Sequence, residues 1–286
     1  MSGAKVNRIG TVVGERFRID EMIGKGAMAD VYRALDLQTQ AFVALKILRS
    51  GDVRDSVSLA RFTREAEVQE RIRHRNVAAL LETGVTDKKE PFLAVELLRG
   101  RSLRNVLKSE GRVPPRRAAS YAWQALQGLE AVHAIGVLHR DLKPANIMLE
   151  PSPGPVERVV LIDFGFASFE GSAKLTLQGT VVGSLTYMAP ERLRGEEADL
   201  RTDLYALGVI LFELLTGRPV FVAADDFELI DMHVNQQPPS ITEIDPSLPR
   251  ALDSVIQIAL AKYPAERFAD AASMAKALED VAREIP

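Results

Sequence analysis

The 286-residue sequence contains no cysteine. That absence excludes disulfides, thiolate zinc sites and cysteine nucleophiles, and it suits a reducing compartment. Histidine is nearly as scarce: His74, His133, His139 and His233 are the only four, too scattered along the chain for an obvious metal cage. Charge of one sign is lacking too. Thirty-six basic residues stand against 39 acidic ones, a formal net charge of −3, and no run of like charges marks a nucleic-acid tail or a membrane patch. An anionic ligand must then be held locally, and neither nucleic acid nor membrane is an expected partner. No stretch approaches the roughly 18 apolar residues of a membrane span, and the opening MSGAKVNRIGTVVGERF has no apolar signal-peptide core. A cytoplasmic setting is the expectation, although a natural chain continuing past Pro286 would be free to carry an anchor.

What is present reads as an ordinary globular chain, 47% hydrophobic and 26% charged, long enough for about two lobes. From about residue 16 to 95 the runs RFRIDEMI, DVYRALD, AFVALKIL, AALLETGV and PFLAVELL alternate with turn residues and predict antiparallel strands. One segment differs. Ser58 to His74 carries Leu59, Phe62, Ala66 and Ile72 at roughly helical spacing, with Ser58 as the expected N-cap. After Gly100 the pattern turns helical. PPRRAASYAWQALQGLEAVHAI opens on prolines suited to a first turn and carries Tyr121, Leu126, Leu129 and Val132; further helices are expected at about 203–216, 225–234, 248–261 and 270–283. EPSPGPVE, Glu150 to Glu157, is a proline-rich turn between two short strands.

The stretch IGKGAMADVYRA, Ile23 to Ala34, has two glycines, Gly24 and Gly26, that let backbone approach a phosphate, but Ala29 stands where a third glycine is expected. Alone it is equally a tight hairpin turn. A dinucleotide fingerprint would need a helix directly after the loop, and DVYRALDLQTQAFVALKIL reads as strand, turn, strand. Lys46, at the end of VALK, is by itself an edge lysine facing solvent. Glu65, three residues after Phe62 and next to Ala66, sits on or beside the core-facing helical stripe, where an unpaired carboxylate is costly and a lysine partner resolves the cost. In VLHRDLKPANIML and VVLIDFGFAS, the oxygens of Asp141, Asn146 and Asp163 end apolar strands and suit a hard cation such as Mg²⁺.

Taken in order, Gly24, Gly26 and Val31, then Lys46 of VALK, HRDLKPAN from His139 to Asn146, DFG from Asp163 to Gly165 and APE from Ala189 to Glu191 form one signature set. The chain resembles a eukaryotic-type protein serine/threonine kinase catalytic domain, of the kind also common in bacteria, over about residues 16 to 283. The resemblance implies an α+β bilobal fold: an N-lobe over 16–96, a small antiparallel sheet with one main helix, and a larger, mostly helical C-lobe over 97–286. It also implies an N-terminal extension over 1–15, a catalytic loop at 139–146 and an activation segment at 163–191.

The activity implied is transfer of the ATP γ-phosphoryl group to Ser or Thr hydroxyls of protein substrates, with ATP and Mg²⁺, or Mn²⁺ in its place, as cofactors. By resemblance, Lys46 contacts the α- and β-phosphates and pairs with Glu65, Asp141 takes the hydroxyl proton, Lys143 balances the γ-phosphoryl charge, and Asn146 and Asp163 hold the metal. Gly24, Lys25, Gly26 and Ala27 cover the phosphates. Ile23, Val31, Ala44 and Met148 wall the adenine, Val95 is the gatekeeper, and Glu96 to Leu98 form the hinge. For each apolar wall residue, ordinary core is the bland alternative. Glu191 with Arg267, and Asp203 beneath the catalytic loop, are implied scaffold residues. Arg140 before Asp141 implies control by loop phosphorylation. Thr176 or Thr180 is the expected autophosphorylation site, among Ser168, Ser172, Ser184 and Thr186, and a homodimer would serve reaction in trans.

The sequence departs from the pattern at Ala29, which predicts stiffer loop closure, and at Gln69, where an apolar residue stacking toward Leu80, Phe164 and His139 is usual. Ser102 and Ala145 stand where arginine-reading relatives often carry acids, so no strong demand for upstream basic residues is expected. The rival readings are a pseudokinase scaffold, which would typically have lost one of Lys46, Glu65, Asp141, Asn146 and Asp163, and a small-molecule phosphotransferase, against which HRDLKPAN and MAPE argue.

Overall fold

The computed structural model describes residues 8–26, 28–153, 156–164, 185–283 and 285. The chain divides into two compact units, Met1–Arg73 with Ala78–Arg99, and His74–Val77 with Gly100–Pro286.

The first unit is a six-stranded antiparallel sheet and one long helix. The strands are β1 (Val12–Val13), β2 (Phe17–Lys25), β3 (Ala29–Asp36), β4 (Phe42–Leu48), β5 (Leu80–Val85) and β6 (Pro91–Glu96), in the order β1-β2-β3-β4-β6-β5. Side chains alternate across a strand, so the register decides what each face carries. One face buries Phe17, Ile19, Tyr32, Ala34, Val43, Leu45 and Ala94 in a single cluster. The other packs Ala29, Leu48 and Leu93 against Phe62 of α1 (Ser56–Arg71). Residues 8–15 make contacts within this unit: β1 pairs with Phe17 and Arg18, and the Arg8 guanidinium donates to both carboxylate oxygens of the buried Glu90 at 2.7 Å. The β3–β4 turn is held by Asp36, which accepts from Arg16 at 2.8 and 2.7 Å and from the Gln38 amide at 2.9 Å. The Arg16 guanidinium keeps that carboxyl far below the usual range.

The N-cap of helix α1 is Asp55, three residues before the expected Ser58. Asp55, in extended conformation, accepts from the amides of Val57 at 3.2 Å and Ser58 at 3.0 Å, and the Ser58 hydroxyl donates to the same carboxylate at 2.6 Å. The carboxylate is the stronger acceptor for helix N–H groups, so Ser58 becomes the cap's partner. Ile72 is extended and closes the helix from outside it.

The second unit holds a three-stranded sheet, in the order β7 (Arg101–Ser102), β8 (Ile147–Glu150), β9 (Arg158–Leu161), and seven further helices among the described residues beside α2 (Leu103–Glu110). These are α3 (Pro115–His133), α4 (Pro190–Leu193), α5 (Leu200–Thr216), α6 (Asp226–Asn235), α7 (Ile241–Ile244), α8 (Arg250–Ala259) and α9 (Ala271–Ala282). The sequence gives α2 no distinct signal, and LRNVLKSE is too short to show a period. Helix α5 is buried on nearly every side from Thr202 to Leu215, and its apolar shell organises the core with α3, α8 and α9. Gly128 lets α3 lie close to β9. A Cβ there would come within 2.8 Å of the Asn76 carbonyl and 2.9 Å of the Leu161 side chain. No helix among the described residues is long and apolar enough to cross a membrane.

Candidate active site

In the first unit the sheet register aligns the implied nucleotide-facing residues. Gly24 pairs with Val31, Val31 with Lys46, Lys46 with Leu93 and Ala44 with Val95, which puts all of them on the α1 side of the sheet. The Lys46 ammonium donates to both oxygens of Glu65 at 2.7 and 2.9 Å. Glu65 is buried and Lys46 is partly covered, their side chains 3% and 15% exposed, so the helical stripe does carry a carboxylate that needs a cation.

The glycine loop closes by a bond from the Gly26 amide to the Ala29 carbonyl at 2.8 Å. A Cβ on Gly26 would stand 3.1 Å from that carbonyl. The Ala29 methyl is not on the loop tip but buried under it, against Leu48, Phe62 and Leu93. Ile23 is 47% exposed and Lys25 is exposed, whereas Ala44 is buried and Val95, Glu96 and Leu98 are half-buried. Ala27 lies outside the described residues. The side chain of Gln69 is buried, and its Oε1 has no hydrogen-bond partner among the described residues.

In the second unit, β8 and β9 hold the catalytic loop. Asp141 accepts from the Lys143 ammonium at 2.7 Å and from the Asn146 amide at 3.1 Å, and its carbonyl accepts from the same amide at 2.8 Å. With both bonds made through nitrogen, the Asn146 oxygen is left without a hydrogen bond among the described residues. The Ile162 amide donates to the Asn146 carbonyl at 3.0 Å, which brings the start of the Asp163 segment alongside it. Asp163 has φ +51°, a conformation non-glycine residues adopt at a cost of about 1–3 kcal/mol and mostly at functional positions. Met148 follows on β8, opposite Ser102 and Val160.

The loop's backbone is fixed from below. Arg140 has φ +64°, and its amide and that of His139 donate to the two oxygens of buried Asp203 at 2.9 and 2.8 Å. His133 Nε2 meets Asp203 at 2.8 Å. Burial alone would raise the Asp203 carboxyl, but the bond from His133 and the bond from the His139 amide hold it below the usual range. Arg192 donates to the Arg140 carbonyl. Burial pushes His139 down, and its Nε2 donates to the Ile162 carbonyl at 3.2 Å while the ring packs 5.0 Å from Phe164. A neutral imidazole locked in this way positions the loop and is no proton carrier.

At the far end of the activation segment, Glu191 and Arg267 form a bidentate pair at 2.9 and 2.7 Å, with the Thr202 hydroxyl on the same carboxylate at 2.8 Å. Both side chains are at most 1% exposed. Gly165 and the loop hydroxyls Ser168, Ser172, Thr176, Thr180 and Ser184 lie outside the described residues; Thr186 is in the short turn before Tyr187.

The donor set suits Mg²⁺. The described residues contain no group of three His, Cys, Asp or Glu side chains placed to hold a metal ion. Mg²⁺ requires none, because it is held by one or two protein oxygens together with substrate phosphates. A free amide oxygen at Asn146, beside a carboxylate at Asp163, is that kind of set.

The model of the protein kinase domain matches residues 17–280. The chain belongs to the protein kinase domain family. It is 36% identical over 281 residues to a probable serine/threonine-protein kinase PknB of Corynebacterium glutamicum, covering 95% of this chain and 43% of the relative. It is also 36% identical over 280 residues to the serine/threonine-protein kinase PknH of Mycobacterium tuberculosis, covering 98% and 44%. The chain thus spans less than half the length of these relatives. Among solved structures, the Mycobacterium tuberculosis PknI kinase domain matches with a TM-score of 0.71 and 27% identity, over 95% of this chain and 97% of that one.

Within this kinase domain, sequence reasoning did not find His133 or Arg192. His133 lay in view as a histidine near the end of a helix, but nothing local pointed to Asp203, 70 residues on. Arg192 follows the APE motif and gives no local sign that it reaches the catalytic loop.

Proposed function

We propose that this kinase domain transfers the γ-phosphoryl group of ATP to Ser and Thr hydroxyls of proteins. The observation that carries this reading is the Asp141 carboxylate held by Lys143 and Asn146 on a backbone pinned by Asp203. The serine/threonine-protein kinase names of the relatives support it.

Asp141 accepts the hydroxyl proton as the new O–P bond forms, the bond from the γ-phosphorus to the bridging oxygen breaks, and ADP leaves. Lys143 sets its ammonium against the charge of the transferring group and keeps the carboxylate oriented. Lys46, fixed by Glu65, binds the α- and β-phosphates. Asn146 and Asp163 would hold Mg²⁺, or Mn²⁺ in its place, which when bound would supply positive charge to offset that of the phosphates. In the first unit the backbone of Gly24, Lys25 and Gly26 would cover the phosphates, and Ile23, Val31, Ala44 and Val95 would wall the adenine, with Glu96 and Leu98 offering it backbone bonds. Little covalent work falls to the protein, so positioning dominates.

Protein substrates, a cytoplasmic setting for the domain, and autophosphorylation at Thr176 or Thr180 between two copies belong to the same reading. Phosphate incorporation from labelled ATP into a generic Ser/Thr substrate tests it. Asp141→Asn is expected to fall at least about 100-fold below wild type. Equal incorporation by the two proteins would refute the mechanism.

A further inference from the structure

Away from the residues assigned to phosphoryl transfer, the second unit contains a pocket of about 250 Å³ between helix α3, the segment at residues 74–76 and the entry to β9. Its floor is prebuilt. Asn76 is 3% exposed, its amide nitrogen donates to the Val159 carbonyl at 2.7 Å and to Gln124 at 3.4 Å, and its backbone carbonyl accepts from the Leu161 amide at 2.9 Å. The Asn76 side-chain oxygen makes no hydrogen bond to any described residue. The bonds of its nitrogen and backbone fix the cavity wall at Asn76 before any ligand arrives.

The other lining groups set the charge that an occupant would carry. Glu157 is engaged, accepting from Arg117 at 2.8 Å and from the Tyr121 hydroxyl at 2.7 Å. Arg75 is exposed and makes no ion pair or hydrogen bond with any described residue. His74 Nδ1 accepts from the Asn76 amide at 3.2 Å, which puts the ring proton on Nε2 as a donor, while burial and the neighbouring Arg75 disfavour the charged ring. The Gln127 amide is also unengaged among the described residues. One wall is the indole of Trp123, fixed by a bond from Nε1 to Glu279 at 2.8 Å. Unused donors and an unpaired cation thus line a space with a flat apolar wall, and Glu157, the one acid among the lining residues, is already engaged.

We propose that this pocket binds a small anion with a flat unsaturated body, its carboxylate or phosphate held by Arg75, the His74 N–H and the Gln127 amide, its ring against Trp123. The site uses none of the residues given to ATP or substrate, so it stands apart from the phosphotransfer reading.

Trp123 is the only tryptophan in the chain, so its fluorescence reports occupancy directly. Titration of the protein with benzoate and with phenyl phosphate is expected to give a saturable change with at least one, and benzyl alcohol, the neutral counterpart, none. The better of the two anions identifies the headgroup as carboxylate or phosphate. Arg75→Ala should weaken binding about tenfold and Gln127→Ala severalfold, each with an unchanged melting temperature before ligand is added. Absence of saturation with both anions in the millimolar range overturns the assignment, as does an Arg75→Ala protein that binds as tightly as wild type.

Discussion

Gln69 puts an amide at a position of α1 that is 4% exposed, and its Oε1 finds no partner among the described residues. An unsatisfied buried acceptor costs about 1–3 kcal/mol, more than an amide contributes by packing. Gln69→Leu is therefore expected to raise stability by about 1–2 kcal/mol, read as a higher urea midpoint at unchanged slope. An equal or lower midpoint would contradict it. Ala29 looks different once its burial is known. Its methyl packs beneath the glycine loop among Leu48, Phe62 and Leu93, so the departure from a third glycine adds core contact as well as restricting φ. Glu65's need for a cation was legible from spacing, because a carboxylate on an apolar stripe requires one. The resemblance implied Lys46 as that cation, and the β4 register brings the two within hydrogen-bond reach.

At the scale of elements, the start of α1 shows where local reasoning stops. Ser58 and Asp55 are both good caps, and the outcome depends on which residue adopts extended backbone. Asp55→Ala should lower the thermal midpoint by more than Ser58→Ala, since it removes the acceptor for two amides and a hydroxyl. The reverse order would show that Ser58 sets the cap. The long helices were legible because α3, α5, α8 and α9 each extend over ten residues or more, enough to show a period. Helix α2, at eight residues, was not. The catalytic loop is an element whose shape cannot be read locally. Its left-handed Arg140 is stable because Asp203 takes two of its amides and Arg192 its carbonyl.

For the whole molecule, buried titratable groups set the response to acid. Burial and the nearby Lys262 ammonium push His233 down to about 4, against an ordinary value of 6.5, while its Nδ1 meets the Tyr205 hydroxyl at 2.8 Å. The unfolded chain takes up a proton between those two values and the folded chain does not, so stability falls as pH drops from about 6.5 to about 4 and levels off below. Between pH 7 and pH 5 this one ring should cost about 2 kcal/mol. His74 and His139 are also shifted down and act in the same direction. Carboxylates shifted down, Asp203 and Glu191 among them, lose their contribution only at lower pH, as each titrates through its folded value. Urea unfolding of wild type and His233→Gln at the two pH values isolates the histidine: the variant should lose less stability on acidification. Identical losses would show that His233 does not drive the slope.

The sequence by itself determined the family, the order of its motifs and the chemical types at the reacting positions, because each of these is a pattern within a few residues of chain. Tertiary structure decided the partners. Asp203 meets the His139 amide across 64 residues, Arg267 meets Glu191 across 76, and Asn76 meets the Val159 carbonyl across 83. No local pattern encodes such pairings. They form because the buried helix α5 and the close approach of α3 to β9 bring distant segments together, and groups removed from water there must take whichever partner the packing supplies.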